Sequence, residues 1–231
     1  MDTPEQNHHH HHGFLPAMGH DWLLPLYDTV TKVLRIESHH RDLIERAALA
    51  SGQRLLEIGC GTGNLTVLIK KLHPRVEVVG IDPDPKALTR ARRKAERAQV
   101  AVAFDPGFAE ELPYPDGSFD RVVSAFMLHH LDPHTKEAAL REVGRILKPG
   151  GSLHIVDFGG GTGQASGIGA RLQRHSKQLE GNRGNRTTTL LAAAGLDDPA
   201  EVGHRNTIVG PVSHYRATAP TAAADTAGPS R

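Results

Sequence analysis

The stretch LLEIGCGTGNLT, residues 55–66, decides the fold, because an apolar strand-like segment leads directly into a glycine-rich loop and then a helix. In open α/β sheets, such a loop at the carboxyl end of the first strand commonly holds a nucleotide. The helical segment NLTVLIKKL follows the loop, and Asp82 ends the next apolar run, 23 positions after Gly59. A carboxylate at that place accepts hydrogen bonds from ribose hydroxyls. We therefore predict a nucleotide-type site on this loop.

A second stretch, HIVDFGGGTGQA at residues 154–165, nearly repeats the first. Its glycines are too numerous to begin a helix promptly, and the next carboxylate, Glu180, lies in a polar segment. We therefore expect residues 159–187 to form a mobile loop with one short helix around 170–179. Two interpretations stay open, a flexible crossover and a lid over an acceptor pocket.

Apolar runs and helical segments alternate along the chain, which favours a parallel, doubly wound α/β sheet. Asp84-Pro85 and Asp132-Pro133 are helix start signals, and Pro149-Gly150-Gly151 stops the second of these helices. Residues 201–217 are typical of two further strands joined at Gly210-Pro211. The predicted strands before them lie at 54–58, 76–81, 100–104, 120–126 and 152–158.

The domain organisation predicted from these patterns is a single domain at residues 20–216, with two N-terminal cap helices inside 20–50. A flexible, histidine-containing segment, 1–19, precedes it, and an Ala/Thr/Pro-rich tail, 217–231, is expected to be disordered. The His8 to His12 tract is consistent with a purification tag, a native metal-binding tract or a solvated run, and we assign it no function.

Composition restricts the function class. The 231 residues include 27 basic and 26 acidic side chains, so the net charge of +1 gives no argument for nucleic acid or an anionic membrane as partner. One cysteine, Cys60, excludes an intrachain disulfide, and no apolar run approaches the ~20 residues of a membrane span. We expect a cytoplasmic protein without an integral membrane segment. Its oligomeric state stays open, a homodimer being one possibility.

The loop itself excludes two common nucleotide sites. The dinucleotide fingerprint needs a glycine at position 64, which is Asn64, and no G-K-[ST] of a phosphate-binding loop is present. With GCGTG, Asp82, LPYPDGSFD (112–120) and LKPGG (147–151) in order, the chain resembles the class I S-adenosylmethionine-dependent methyltransferases. It is most similar to the type 11 small-molecule group, which includes ubiquinone/menaquinone C-methylase-like enzymes. The resemblance covers about residues 53–158.

The resemblance implies a Rossmann-like, mostly parallel seven-stranded sheet with an antiparallel C-terminal strand. It also implies S-adenosyl-L-methionine as cofactor and S-adenosyl-L-homocysteine as product. The cofactor carries no phosphate, which agrees with the loop. The glycines would let the backbone approach the amino-acid end and the ribose closely. The implied cofactor-binding residues are Tyr27, Glu57, Gly59, Cys60, Gly61, Gly63, Asn64, Asp82, Pro83, Phe108, Ala109, Glu110 and Ser124.

Within this set the resemblance implies distinct roles. Glu57 and Tyr27 would lie near the amino-acid end, Asp82 would accept from the ribose hydroxyls, and Pro83 would lie beside the adenine. Ala109 and Glu110 match the region that reads the adenine edge. Phe108 stands where the family usually has an aspartate. Two interpretations are open: its ring stacks on the adenine, or it fills the core.

Residues 124–130, SAFMLHH, end the fourth strand, where such enzymes face the reactive methyl and the acceptor. A base is needed only if the acceptor must lose a proton, as a hydroxyl would. His129 and His130 are the nearest candidates, and at most one of two adjacent side chains faces the pocket. We name His129 as the candidate base, and His20 as a second candidate, which either lines the acceptor site or anchors a helix.

The predicted function is methyl transfer to a small-molecule acceptor at oxygen, nitrogen or carbon, by in-line displacement. A phospholipid or other amine N-methyltransferase is one alternative, and a non-catalytic S-adenosylmethionine-binding protein is another. The basic helix after Asp84 has an apolar face for the sheet, so its charges predict a solvated surface and no nucleic-acid partner. No metal-ligand spacing is visible outside the His8 to His12 tract, and we predict no metal site.

Overall fold

The computed structural model describes residues 36–159, 186–207 and 210–221. Several predictions lie outside these residues. They concern the segment 1–19 with the His8 to His12 tract, His20, Tyr27, and most of the 159–187 loop and the 217–231 tail.

Helices and strands alternate through the first two thirds of the described chain. The helices are α1 (Ile36–Ala47), α2 (Asn64–Leu72), α3 (Pro85–Arg97), α4 (Pro133–Ile146) and α5 (Arg186–Ala193), with a short 3-10 helix at Leu128–His130. The strands are β1 (Arg54–Ile58), β2 (Glu77–Asp82), β3 (Ala103–Pro106), β4 (Phe119–Ala125), β5 (Leu147–Phe158), β6 (Asp197–Thr207) and β7 (Gly210–Thr218). None of these helices has both the length and the apolar character needed to cross a bilayer.

The seven strands form one sheet in the order β3-β2-β1-β4-β5-β7-β6. Strands β1 to β5 pair in parallel, and β7 pairs antiparallel with both β5 and β6. The doubly wound, mostly parallel sheet with an antiparallel C-terminal strand is thereby confirmed. Strand order reverses between β1 and β4, which places a ligand crevice at their carboxyl ends.

Helices cover both faces of the sheet. On one face, Leu43 of α1 and Ile69 of α2 pack with Val156 of β5. On the other, Leu140 of α4 packs with Ile155 of β5. The consecutive residues 155 and 156 of β5 thus pack into the cores on opposite faces of the sheet, because side chains alternate along a strand. Because helices cover both faces of the sheet, its residues can contact a ligand at the strand ends.

Both predicted helix starts are confirmed. The Asp84 side chain accepts from the Lys86 N–H before α3, and the Asp132 side chain accepts from His134 and Thr135 N–H groups before α4. Each cap satisfies backbone donors that the first helical turn leaves without partners. The basic helix α3 buries only its alanine and leucine face, which agrees with the prediction of a solvated charged surface.

Some predicted boundaries are wrong because strand pairing overrides local pattern. The third strand is Ala103–Pro106 instead of 100–104, since Val79 of β2 pairs with Ala103. Strand β5 begins at Leu147, so the Pro149-Gly150-Gly151 segment lies within the strand after the helix. Residues 217–219 are ordered, although the prediction placed them in the tail. Ala217 and Thr218 belong to β7, pairing with β5, and Ala219 is buried.

Candidate active site

The predicted cofactor loop leaves β1 and turns back on β2 at the switch point of the sheet. Gly59, Gly61 and Gly63 have φ angles of 68°, 50° and 73°, in the left-handed region that side chains avoid. The N–H groups of Gly59 and Cys60 both donate to the Ile81 carbonyl, at 2.9 and 3.1 Å. The loop therefore needs glycine for its conformation and is held by the neighbouring strand.

The three glycines differ in what surrounds them. A Cβ at Gly59 would overlap Met127 Cγ, and one at Gly63 would lie 2.9 Å from Ala91 Cβ. At Gly61, no described atom outside its chain neighbours lies within 4 Å of such a Cβ. Gly59 and Gly63 thus allow neighbouring side chains to pack closely against the backbone. Gly61 borders a space, free of described atoms, where a ligand could approach the backbone.

Asp82 ends β2 beside this open space, as predicted. Its Oδ2 accepts the Gly61 N–H at 2.8 Å, and its Oδ1 accepts the Asp84 N–H at 2.9 Å. Partial burial raises the pKa of this carboxyl, although both backbone hydrogen bonds act in the opposite direction. Each carboxylate oxygen has two acceptor sites, so Asp82 retains capacity for ribose hydroxyls while it orients the loop.

Glu57 lies two residues before the loop and is only 3% exposed. The Thr66 hydroxyl, from the first turn of α2, donates to its Oε2. Burial raises the pKa of Glu57 to about 8, with the nearby Asp82 charge adding to the effect. A buried carboxyl of this kind is electrostatically suited to a cation such as an ammonium group. The open face at Gly61, Glu57 and Asp82 together fit S-adenosylmethionine.

The predicted adenine segment lies against the end of β2. The Gly107 N–H donates to the Asp82 carbonyl at 3.3 Å, and Ala109 is buried. Phe108 is 46% exposed, so the interpretation that it fills the core is wrong. Glu110 is half-buried. The backbone contact of Gly107 thus brings the exposed Phe108 within one residue of a hydrogen bond to Asp82.

Two residues of the predicted set turn their side chains away from the open space. Cys60 is buried against Gly80, and this burial raises the pKa of its thiol. The Asn64 side chain accepts from Lys94 Nζ of α3. These two residues can therefore offer a ligand their backbone rather than these side-chain groups. At the end of β4, the buried Ser124 hydroxyl has no hydrogen-bond partner among the described residues.

His129, the candidate base, is clamped by Asp157. The His129 backbone N–H donates to Asp157 Oδ2 at 2.9 Å, and its ring Nδ1 lies 2.6 Å from Asp157 Oδ1. Asp157 is 1% exposed, whereas 13% of the His129 side chain is exposed. The ring also contacts Phe158, with centroids 5.3 Å apart. The clamp fixes both the backbone position and the ring orientation of His129.

Sequence reasoning missed Asp157. It is the acid of HIVDF, at the carboxyl end of β5, and β5 pairs with β4, which leads to His129. Carboxyl ends of adjacent parallel strands share one edge of the sheet, so this position was a detectable signal. The acid precedes the second glycine stretch, whereas the prediction considered only the carboxylates that follow it.

Comparisons with known proteins show the family of the chain. The family described as "Methyltransferase domain" matches residues 55–151. The demethylmenaquinone methyltransferase of Deinococcus radiodurans is 31% identical over 204 residues, covering 84% of this chain and 84% of that protein. The 27-O-demethylrifamycin SV methyltransferase of Amycolatopsis mediterranei is 40% identical over 112 residues, covering 48% of this chain and 40% of that protein.

Solved structures share the fold. A phosphoethanolamine N-methyltransferase of Haemonchus contortus has a TM-score of 0.67 at 18% identity, covering 80% of this chain and 53% of that one. The [4+2]-cyclase SpnF has a TM-score of 0.66 at 20% identity, covering 80% and 81%. These neighbours bear names of two different reactions, so at such low identity they show the fold alone.

The similarity to the Deinococcus protein extends over most of both chains. The strand order agrees with this similarity, and the cofactor and fold implied by the resemblance are confirmed. The chain belongs to the class I S-adenosylmethionine-dependent methyltransferases, in the ubiquinone/menaquinone C-methylase-like group, whose members here methylate small molecules.

Proposed function

We propose that this enzyme methylates a small molecule bearing an acidic hydroxyl, with His129 as the base that removes the hydroxyl proton. The observation that carries the proposal is the two-point contact of Asp157 with His129. A carboxylate that holds one nitrogen of an imidazole fixes which nitrogen can accept a proton. This arrangement is unnecessary for an acceptor that is already nucleophilic.

The cofactor would lie along the loop at the carboxyl ends of β1 and β2. We assign the amino-acid end to Glu57 and the Gly61 backbone, and the ribose hydroxyls to Asp82. Pro83 and the segment 108–110 would border the adenine. When bound, S-adenosylmethionine supplies a methyl group on a sulfonium cation, which a nucleophile attacks in line.

His129 would act through its Nε2 atom. The Asp157 carboxylate only accepts hydrogen bonds, so the shared proton is assigned to Nδ1, and Nε2 carries the lone pair. Nε2 takes the proton of the acceptor hydroxyl and later passes it to solvent. The imidazolium that forms meanwhile is stabilised by the buried Asp157 charge. At oxygen, the methyl group replaces the hydroxyl proton. At a ring carbon activated by that oxygen, the ring C–H proton is lost after the transfer and the oxygen regains a proton, so the net change is again one methyl gained and one proton lost.

The relatives' names support an acceptor of this class. The proteins compared above act on demethylmenaquinone and on 27-O-demethylrifamycin SV, as their names state. The reduced form of a quinone carries ring hydroxyls, and their deprotonation makes either the oxygen or the adjacent carbon nucleophilic. Neither an amine N-methyltransferase nor a non-catalytic binding protein is favoured by these relatives. We also propose a cytoplasmic location, consistent with the single cysteine, Cys60.

The proposal is tested with S-adenosylmethionine labelled in its methyl group. Demethylmenaquinone is offered in its reduced quinol form and in its quinone form, and a panel of phenols is run beside it. We expect label in the hydroxyl-bearing acceptors and none in the quinone. Replacing His129 by glutamine should lower the turnover about 10²- to 10⁴-fold. The matched control is His134→Gln, at an exposed position of α4.

Two results would overturn the proposal. One is equal methylation of the quinol and the quinone, since the quinone has no hydroxyl to deprotonate. The other is a His129→Gln enzyme that turns over as fast as His134→Gln on an acceptor that the wild type methylates.

A further inference from the structure

A second cluster of ionisable side chains lies where α1 packs against β7, apart from the cofactor loop. His39 and Asp42 stand one turn apart on α1, and His214 comes from β7. One possible ligand atom from each residue lies within 4.8 Å of the other two. His39 and His214 are each 2% exposed, and Asp42 is half-buried. Two imidazoles and one carboxylate thus converge at an almost closed site.

The facing histidine nitrogens lie at the outer limit of hydrogen-bonding distance. His39 Nδ1 lies 3.5 Å from His214 Nε2, beyond the usual N···acceptor range of about 2.7–3.2 Å. Two nitrogens bound tetrahedrally to one zinc ion at about 2.0–2.1 Å would lie roughly 3.3–3.4 Å apart. The second nitrogen of His214, Nδ1, has no hydrogen-bond partner among the described residues. The spacing of the pair therefore also suits two ligands of one ion.

We propose that His39, Asp42 and His214 bind one divalent transition-metal ion of the zinc type. Imidazole nitrogens with a carboxylate oxygen are a ligand set that zinc and its neighbours accept. Three protein ligands leave a position for water or another group. The site is independent of the proposed reaction, and its failure would leave the cofactor site and His129 unaffected.

Two arginines oppose a cation at this place, and one of them competes directly. Arg205 Nη2 lies 3.2 Å from Asp42 Oδ2, while the Arg205 side chain is 56% exposed. An ion would displace this guanidinium, which has room to move into solvent. Arg46 is held elsewhere, because its Nη1 donates to the Val202 carbonyl at 2.6 Å. Removing the Arg205 side chain should therefore tighten ion binding.

An ion here would join α1 to the sheet beside the proposed base. His214 pairs with Val156 of β5, and Asp157 is the next residue along that strand. His39 also contacts Phe126, with ring centroids 5.9 Å apart, just after β4. The ion would thus stiffen the packing of α1 on the strand ends that carry the active site.

The test uses Co²⁺ as the probe in the full-length protein. To remove competing binding, His8 to His12 are each replaced by serine in every sample. Bound Co²⁺ is counted after gel filtration, and its visible absorption reports the ligand geometry. His39→Ala, His214→Ala, Asp42→Asn and Arg205→Ala are compared with His134→Ala, which changes an exposed histidine of α4.

The expected result is one Co²⁺ per chain in the background protein and in His134→Ala. Loss of a histidine ligand should weaken binding at least about tenfold, since loss of even an outer partner of a ligand costs that much. Arg205→Ala should bind more tightly, and Zn²⁺ should raise the melting temperature of the background protein. Should the histidine variants fail to fold by circular dichroism, Asp42→Asn decides, and it should bind more weakly. The proposal is overturned by an absence of stoichiometric Co²⁺, or by Asp42→Asn and Arg205→Ala both matching His134→Ala.

Discussion

The Asp157→Asn substitution tests whether His129 acts as a base or whether its contact with Asp157 is only structural. Asparagine has nearly the shape of aspartate, so the His129 backbone N–H can still donate to the amide oxygen. With the oxygen there, the amide NH₂ faces His129 Nδ1 and donates to it, which places the imidazole proton on Nε2. The same NH₂ also faces the Phe158 N–H, which Asp157 Oδ1 accepts at 2.7 Å, so that backbone hydrogen bond is lost. A base whose lone pair is directed at the introduced amide instead of the acceptor cannot take the hydroxyl proton.

The expected loss of kcat follows from the role of the Asp157–His129 contact in base catalysis. General base catalysis contributes about 10²- to 10⁴-fold, so kcat should fall by that factor at neutral pH. The affinity for S-adenosylmethionine should stay within about twofold, because Asp157 contacts His129 and not the cofactor loop. Loss of a hydrogen bond to a charged group costs about 1.5–3 kcal/mol of folding free energy, and the variant should remain folded.

The assay is methyl transfer under saturating cofactor, with His129→Gln and the double variant measured in parallel. If the two side chains act as one unit, the double variant should be no slower than the slower single variant. Raising the pH should partly restore Asp157→Asn, since an acidic hydroxyl then ionises without help. A kcat within about threefold of wild type, or strictly multiplicative losses, would refute the reasoning.

Three further predictions concern the proposed cofactor site. The cofactor's ammonium group should lower the pKa of Glu57 from about 8, so binding should release a proton and tighten as the pH rises towards 8. Equal binding enthalpies in buffers of different ionisation enthalpy would contradict this. Gly59→Ala should cost about 2–4 kcal/mol in chemical denaturation, because positive φ and Met127 both oppose the methyl group. Gly61→Ala should cost only about 1–2 kcal/mol, from φ alone, and equal costs would disprove the distinction. Phe108→Ala should weaken cofactor binding about 2- to 12-fold in calorimetry without lowering the melting temperature, and an unchanged affinity would exclude stacking.

The fold was predictable because local signals and tertiary demands agree along most of the chain. The helix caps at Asp84 and Asp132 and the alternation of apolar runs required no long-range information. The third strand was misplaced because pairing of Val79 with Ala103, not apolar content, decides its start. Strand β7 extends past 216 because its backbone pairs with β5, which the alanine- and threonine-rich composition conceals.

Only the part of the site formed by residues close in sequence could be predicted. Gly59, Gly61 and Asp82 fall within one strand-loop-helix-strand unit, so sequence order brings them together. The Asp157 contact joins the end of β5 to the 3-10 helix after β4, and the His39–His214 pair joins residues 175 positions apart. No spacing rule covers such distances, so neither the Asp157 contact nor the proposed metal site could be predicted from the sequence. The two glycine stretches also differ in their positions relative to the site. The first forms the proposed cofactor loop, and the second follows Asp157, which contacts His129.

The most direct test of the central claim is titration calorimetry of S-adenosylmethionine against wild type, Asp82→Ala and Asp82→Asn, with NAD as the competing cofactor. We expect the wild type to bind S-adenosylmethionine and not NAD. Asp82→Ala should weaken binding by about 1.5–3 kcal/mol, or roughly 10- to 150-fold, and Asp82→Asn by less. An unchanged affinity in folded Asp82→Ala would remove Asp82 from the site, and binding of NAD alone would contradict the account.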